Sequence, residues 1–199
     1  IAPLKLCLRF SNGLRINKID RTLLKNMKKA GTQFIAYGIE SGNQEILDKI
    51  PKGIKLEQVK EAVAWTKEAG IEVMGFFMIG LLGDTIDTMK DTISFAKSLN
   101  LDYTNFSMAC PYPGTKMWDM VKAKGKIHLN NYADYQHQTG KCLWEYPDMA
   151  TPREIERMYR LAFRSVYLNP KEIIKQILKI NSLTKFKSAV LGARRVFYK

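Results

Sequence analysis

The chain has 199 residues, 46% of them hydrophobic and 26% charged, with 32 Lys/Arg against 19 Asp/Glu for a net charge of +13. That is the composition of a folded domain with a real core, and it excludes disordered, collagenous and low-complexity classes. The most apolar stretch, 71–82, falls short of the ~18 to 20 residues a membrane-crossing helix needs and already carries Glu72.

Ile1 to Phe10 read as a strand already under way, with no initiator Met and no charged and apolar leader, so the chain is expected to be a segment of a longer protein. Cys7, Cys110 and Cys142 match neither a disulfide framework nor a compact metal-ligand spacing. A reducing, cytoplasmic context with each thiol acting as a small buried hydrophobe is the expectation, and no metal site is read within the chain. Residues 151–199 hold 12 Lys/Arg against 3 Asp/Glu, so +9 of the net charge belongs to the tail and +4 to the rest. An anionic membrane surface is the partner such a tail suits first and nucleic acid second, with a solvated helix face as the plainer alternative.

In chain order, a strand near 3–10 is followed by a repeated unit: an amphipathic helix, a short turn, and an apolar strand. Helix 24–31 leads into strand 33–39, helix 63–70 into strand 71–80, and helix 93–99 into strand 102–109. Apolar residues at helical spacing mark the helices, and Gly31 and Gly70 stand where a helix ends on a left-handed residue. The nearly continuous apolar run 73–79 predicts a parallel strand covered on both faces. These units give an α/β fold, either an open doubly wound sheet or part of a (β/α) barrel, with function at the carboxyl ends of the strands. Residues 126–150, rich in Asn, Tyr, Gln and Trp, predict a loop or lid. Thr151-Pro152-Arg153-Glu154 then opens the first of three helices, near 152–168, 170–181 and 183–197.

The strand ends carry the chemistry. Glu40 and Ser41, flanked by Gly38 and Gly42, suit hydrogen bonding to a ribose or amino group; equally, Ser41 or Asn43 could cap a helix at 44–50. Lys52 could neutralise a carboxylate or phosphate. Gly80 to Thr85 lets backbone approach a ligand, with Asp84 or Thr85 capping the next helix, and Pro111-Tyr112-Pro113-Gly114-Thr115 offers a rigid turn with an aromatic platform.

Taken together, Asn12-Gly13-Leu14-Arg15-Ile16, Leu24 to Gly31, Gly38-Ile39-Glu40-Ser41-Gly42-Asn43 with Leu47 and Lys52-Gly53, Phe77 to Thr85, and Pro111 to Thr115 resemble the second half of a radical S-adenosylmethionine (SAM) domain, over residues 1–125. The resemblance implies strands three to six of a partial (β/α)6 TIM-like barrel, followed by a helical extension at 151–199. It further implies that Glu40 and Ser41 contact the ribose and amino-acid part of SAM and Lys52 its carboxylate. Ile79 and Gly80 would lie beside the adenine, Pro111 and Tyr112 would close over it, and Asn12 would face the same pocket.

The family's C-x-x-x-C-x-x-C motif, which binds a 4Fe-4S cluster, is absent from this sequence, so the cluster ligands are expected outside the chain. The tail, Thr151 to Glu156 and Tyr159 to Pro170, is similar to the extension of cobalamin-dependent radical SAM proteins, with Asn169 where Arg is usual. A cobalamin domain would likewise lie outside the chain. The resemblance implies a methyltransferase or cyclase that generates a 5′-deoxyadenosyl radical from SAM and acts on a small-molecule or lipid-like substrate. An electron donor and the amino-terminal part of the same protein would be its partners. A methylthiotransferase and a non-catalytic barrel remnant are the alternatives. Tyr135, His137, Trp144 and Tyr146 could form a lid or simply pack as aromatics.

Overall fold

The computed structural model describes residues 2–169, apart from 130, 132, 133 and 136–139, together with Ile174. The chain forms two compact units, Ile1–Ala109 and Cys110–Lys199.

The first unit is built on four parallel strands, β1 (Leu8–Leu14), β2 (Thr32–Glu40), β3 (Glu72–Ile79) and β4 (Tyr103–Met108), in the spatial order β1-β2-β3-β4. Between them run α1 (Arg21–Lys29), α2 (Gln44–Lys49), α3 (Leu56–Glu68) and α4 (Ile86–Ser98). Parallel neighbours joined in sequence by right-handed crossovers carry all their helices on one face. A doubly wound sheet must instead reverse its order, so this singly wound sheet has the plan of a barrel wall.

Each helix starts where a side chain can take up orphan amide protons. Asp20 accepts from the Leu23 N–H at 2.7 Å, Asn43 from that of Ile46 at 3.2 Å, and Thr85 from that of Thr88 at 3.3 Å. Gly31 and Gly70 follow the last turns of α1 and α3 at φ +101° and +70°, the expected helix stops.

The core lies between the sheet and these helices. Ile35, Tyr37 and Ile39 of β2, Val73, Phe77 and Ile79 of β3, and Phe106 and Met108 of β4 are all buried, as are Leu24, Val59, Val63 and Met89 of the helices. Burial of each such large side chain stabilises by roughly 1.5 to 3 kcal/mol. The Tyr37 hydroxyl bonds Thr66 Oγ1 of α3 at 2.7 Å, and burial pushes its pKa up to about 12.

Two expectations are corrected here. The first strand begins at Leu8 rather than near residue 3, because β2 offers partners only from Thr32 onward and Ala2–Leu4 form a 3-10 turn. The apolar run of β3 is not covered equally on both faces. Burial alternates strictly along Glu72–Ile79, with Val73, Gly75, Phe77 and Ile79 buried and Glu72, Met74, Phe76 and Met78 half-buried.

The second unit holds α5 (Lys116–Lys124), a short antiparallel pair β5 (Lys126–Ile127) and β6 (Trp144–Glu145), and α6 (Pro152–Tyr167). The stretch read as a loop thus contains a two-stranded ribbon. Helix α6 starts as expected, with Thr151 as cap, Pro152 in the first turn and Glu154 returning the hydrogen bond to the Thr151 N–H at 2.8 Å. Trp144 is buried in this unit, a packing role rather than that of a mobile lid. His137 and the helices expected at 170–181 and 183–197 lie outside the described residues, Ile174 excepted. No described helix is long and apolar enough to cross a membrane.

Candidate functional site at the carboxyl ends of the strands

The carboxyl end of β2 is shaped by a bulge. Gly38 pairs with Phe76 but Glu40 with Phe77, so Ile39 and Glu40 together spend two residues against one. The Ser41 N–H closes back on the Ile39 carbonyl at 3.0 Å, with Glu40 between them at φ +72°. An i to i+2 bond around a left-handed non-glycine residue is the signature of the strained γ-turn. Its consequence is that Glu40 leaves the strand with its carboxylate facing the ammonium of Lys52, with which it forms an ion pair. The Glu40 side chain is 15% exposed and that of Lys52 38%, so the pair is half-sheltered at the rim of the sheet.

Lys52 arrives from the turn after α2 and is anchored by its backbone. Its carbonyl accepts from the Arg15 guanidinium at 3.2 Å and from Asn17 Nδ2 at 3.4 Å, both just past β1. Gly38 completes the arrangement, since a Cβ there would lie 2.9 Å from Glu40 Oε1 and 3.0 Å from Lys52 Nζ. Asn12 stands on the neighbouring strand inside an irregular stretch where Phe10 pairs with Ile35 and Leu14 with Tyr37. It is exposed, and the adjacent Gly13 lies against Gly38 and Phe76, with 3.6 Å and 3.9 Å from a Cβ built there. Asn12, Glu40 and Lys52 are therefore brought to one corner of the sheet.

Ser41 behaves differently. It is 1% exposed, and its hydroxyl bonds Thr92 Oγ1 at 3.0 Å while accepting from the Asn43 N–H at 3.1 Å. Thr92 also accepts from the Gly42 N–H at 3.0 Å. Ser41 thus fastens the turn to α4, and Asn43 is the residue that caps α2.

At the end of β3, Ile79 points into the core and its carbonyl accepts from the Ala109 N–H at 2.9 Å. Gly80 opens a loop organised by Asp84, which is 1% exposed. Its carboxylate accepts from the Leu81 N–H at 2.8 Å and from Thr88 Oγ1 at 2.7 Å. Burial raises its pKa, opposed by those hydrogen bonds and by that of the Gly80 backbone. Thr85 rather than Asp84 caps α4.

Pro111 and Tyr112 belong to the second unit. There Pro111 is buried, while Tyr112 is partly exposed and stacks on Tyr135 with ring centroids 5.8 Å apart. Cys7 is exposed, Cys110 intermediate and Cys142 buried, so the reading of all three as buried hydrophobes holds only for the last. Among the described residues no group of His, Cys, Asp or Glu could hold a metal ion. Sequence reading missed the anchoring of Lys52 by Asn17, whose only signal is an amide directly after a strand, and the loop clamp at Asp84.

Residues 8–96, from β1 into the last turn of α4, match the family model of the radical SAM superfamily. An uncharacterized methyltransferase of Pyrococcus horikoshii is 34% identical over 92% of this chain and 39% of its own length. The bacteriochlorophyllide d C-8(2)-methyltransferase of Chlorobaculum tepidum is 27% identical over 89% of this chain and 42% of its own. The chain therefore spans about two fifths of the length of these relatives. Among solved structures, the radical S-adenosylmethionine methyltransferase TsrM of Kitasatospora setae, with cobalamin and a 4Fe-4S cluster bound, superposes with a TM-score of 0.55 at 20% identity. That superposition covers 76% of this chain and 30% of TsrM, and it speaks to the fold. Three of the four strands of this singly wound parallel sheet, β1 to β3, lie in the segment that matches the radical SAM superfamily.

Proposed function

We propose that residues 1–125 form the carboxyl-terminal half of a radical SAM barrel, strands three to six, within a longer SAM-dependent enzyme of methyltransferase or cyclase type. Residues 126–150 connect this half-barrel to the extension at 151–199, which opens with α6. The observation that carries this reading is the Glu40–Lys52 pair held at the carboxyl end of β2 inside the family-matched segment.

The corner fits the polar part of SAM. Glu40 offers acceptors for ribose hydroxyls or the α-amino group, and Lys52 offers a cation to the carboxylate. Bare Gly38 leaves the space beside both that a side chain would fill. In this reading the Gly80 backbone flanks the adenine, with Asp84 fixing the loop. Asn12 lines the same corner, Ser41 supports it from behind, and Ile79 supports it through the core.

When bound, SAM and a reduced 4Fe-4S cluster supply one-electron cleavage of the sulfur–C5′ bond and hydrogen abstraction from carbon, and cobalamin supplies methyl transfer. The three cysteines of this chain lie on separate elements, so the cluster ligands, like the cobalamin domain, belong to the remainder of the protein. The relatives named as methyltransferases support this class, as does the cobalamin in the TsrM structure. A reductant and a small-molecule or lipid-like substrate complete the reaction in a cytoplasmic setting, the basic tail providing contact with an anionic membrane.

The test is anaerobic reconstitution of the intact protein, followed by calorimetric titration with SAM and measurement of 5′-deoxyadenosine after reduction. Binding and 5′-deoxyadenosine production that both fall about tenfold or more in Glu40→Ala support the proposal. Absence of SAM binding in the cluster-loaded intact protein overturns it.

A further inference from the structure

The face of the sheet turned away from the first unit's own helices has a chemical layout that the SAM corner does not explain. Side chains of β3 and β4 that do not enter the core are Glu72, Met74, Phe76 and Met78, and Tyr103, Asn105 and Ser107, all half-buried. Register sorts them into rows across the sheet. Arg9, Phe34 and Glu72 form the row at the amino end, with the Arg9 guanidinium 4.3 Å above the Phe34 ring. Ala36, Met74 and Tyr103 come next, then Gly38, Phe76 and Asn105, and finally Met78 with Ser107. Formal charge therefore sits only at the two ends, in the Arg9 and Glu72 row and in the Glu40–Lys52 pair. Between them the face is thioether, aromatic and neutral polar.

Among the described residues, neither the Asn105 nor the Ser107 side chain makes a hydrogen bond, although both are half-buried. Almost every other polar side chain at this end of the sheet is engaged: Ser41 with Thr92, Asp84 with Thr88, Glu40 with Lys52. Polar groups left open beside apolar ones are how small-molecule sites are lined, with the apolar groups giving area and the polar ones orientation. Asn105 is also well placed relative to the SAM corner. It pairs with Phe76, which pairs with Gly38, two strand spacings or about 10 Å in all.

We infer that Asn105 and Ser107 read the substrate, hydrogen-bonding a neutral carbonyl, hydroxyl or amide group on an apolar body that lies over Phe76 and Met78. This rests on the proposed SAM site and adds to it the class of substrate: an uncharged, largely apolar moiety presented to the Glu40–Lys52 corner. A carboxylate or ammonium at this point would lose its hydration without gaining a counter-charge.

The test uses the reconstituted intact protein carrying ¹³C-methyl methionine, with the Met74 and Met78 signals assigned by Met→Leu substitution. Benzamide and benzyl alcohol are the neutral probes, benzoate and benzylammonium the charged ones. The neutral pair is expected to shift Met78 and to bind about tenfold or more tightly than the charged pair. Asn105→Leu should weaken benzamide about fivefold, and Ser107→Ala should weaken benzyl alcohol similarly, with SAM affinity within about twofold of the parent. Equal binding of charged and neutral probes, or no effect of either substitution, overturns the inference while intact SAM binding leaves the functional proposal standing. Loss of SAM binding in the parent protein would instead remove the proposal on which it rests.

Discussion

Glu40 and Lys52 form an ion pair although they are separated by a γ-turn, a capped helix and a second turn, and Glu40 makes it from a left-handed backbone. Ion pairs in such half-exposed settings contribute about 0 to 1 kcal/mol to stability. The arrangement therefore makes more sense as positioning of two charges than as a fastening of the fold.

Lys52→Met separates those roles. The substitution keeps the aliphatic stem and removes the cation, so unfolding in denaturant should change by about 1 kcal/mol or less. SAM affinity of the intact, reconstituted protein should fall about tenfold, the size of a lost charge-assisted hydrogen bond. Calorimetry and a urea titration on the same preparation check both halves. A large stability loss would make Lys52 a structural residue instead.

The αβ units were legible because each level of the sequence agreed. Apolar residues recur at helical spacing in α1, α3 and α4, Gly31 and Gly70 mark helix ends, and Thr85, Thr115 and Thr151 stand at helix starts. The alternating burial of β3 was hidden because both of its faces are apolar in composition, so period-2 patterning has no contrast to show. Ser41 could not be separated from Glu40 because the difference between them is Thr92, fifty-one residues away. The start of β1 depended on where its neighbour begins, and no local signal carries that.

Asp84 gives a pH-dependent stability whose sign is fixed by its surroundings. Burial raises its folded pKa above the ordinary aspartate value of 3.8, so the folded state binds the proton more tightly than the unfolded state. Its contribution to stability is therefore smallest above the raised pKa. It grows as the pH falls through that pKa towards 3.8 and is constant below. Asn cannot titrate, so the stability cost of Asp84→Asn should increase over that acid window. Urea unfolding of both proteins from pH 7 to pH 4 measures the trend, and a cost that shrinks on acidification would contradict it. Asp84→Ala, which strands the Leu81 amide, should cost about 1 to 3 kcal/mol at neutral pH.

The three thiols should react in the order of their exposure. Cys142 is 6% exposed and burial pushes its pKa up to about 12, leaving about one thiolate in ten thousand at pH 8. Cys7 is exposed on the approach to β1, and Cys110 is intermediate with its pKa raised by burial. Timed alkylation with iodoacetamide and peptide mass spectrometry should find Cys7 labelled first and Cys142 last, the latter only on unfolding. Early labelling of Cys142 would mean that the second unit opens readily around Trp144.

The left-handed turn at Glu40 can be examined by comparing two truncations at one position. Both Glu40→Ala and Glu40→Gly remove the carboxylate and its pair with Lys52, so they lose the same electrostatic contribution. Alanine keeps the Cβ that makes φ +72° unfavourable, whereas glycine removes it. Against this, glycine gives the unfolded chain more freedom, an opposing effect of about 0.5 to 1 kcal/mol. Strain at such positions is about 1 to 3 kcal/mol, which exceeds it. Glu40→Gly should therefore be more stable than Glu40→Ala by about 1 kcal/mol, while both show the same weakened SAM binding. Equal stabilities would mean that the bulge relaxes once the carboxylate is gone, and hence that the attraction of Glu40 to Lys52 holds the turn in place.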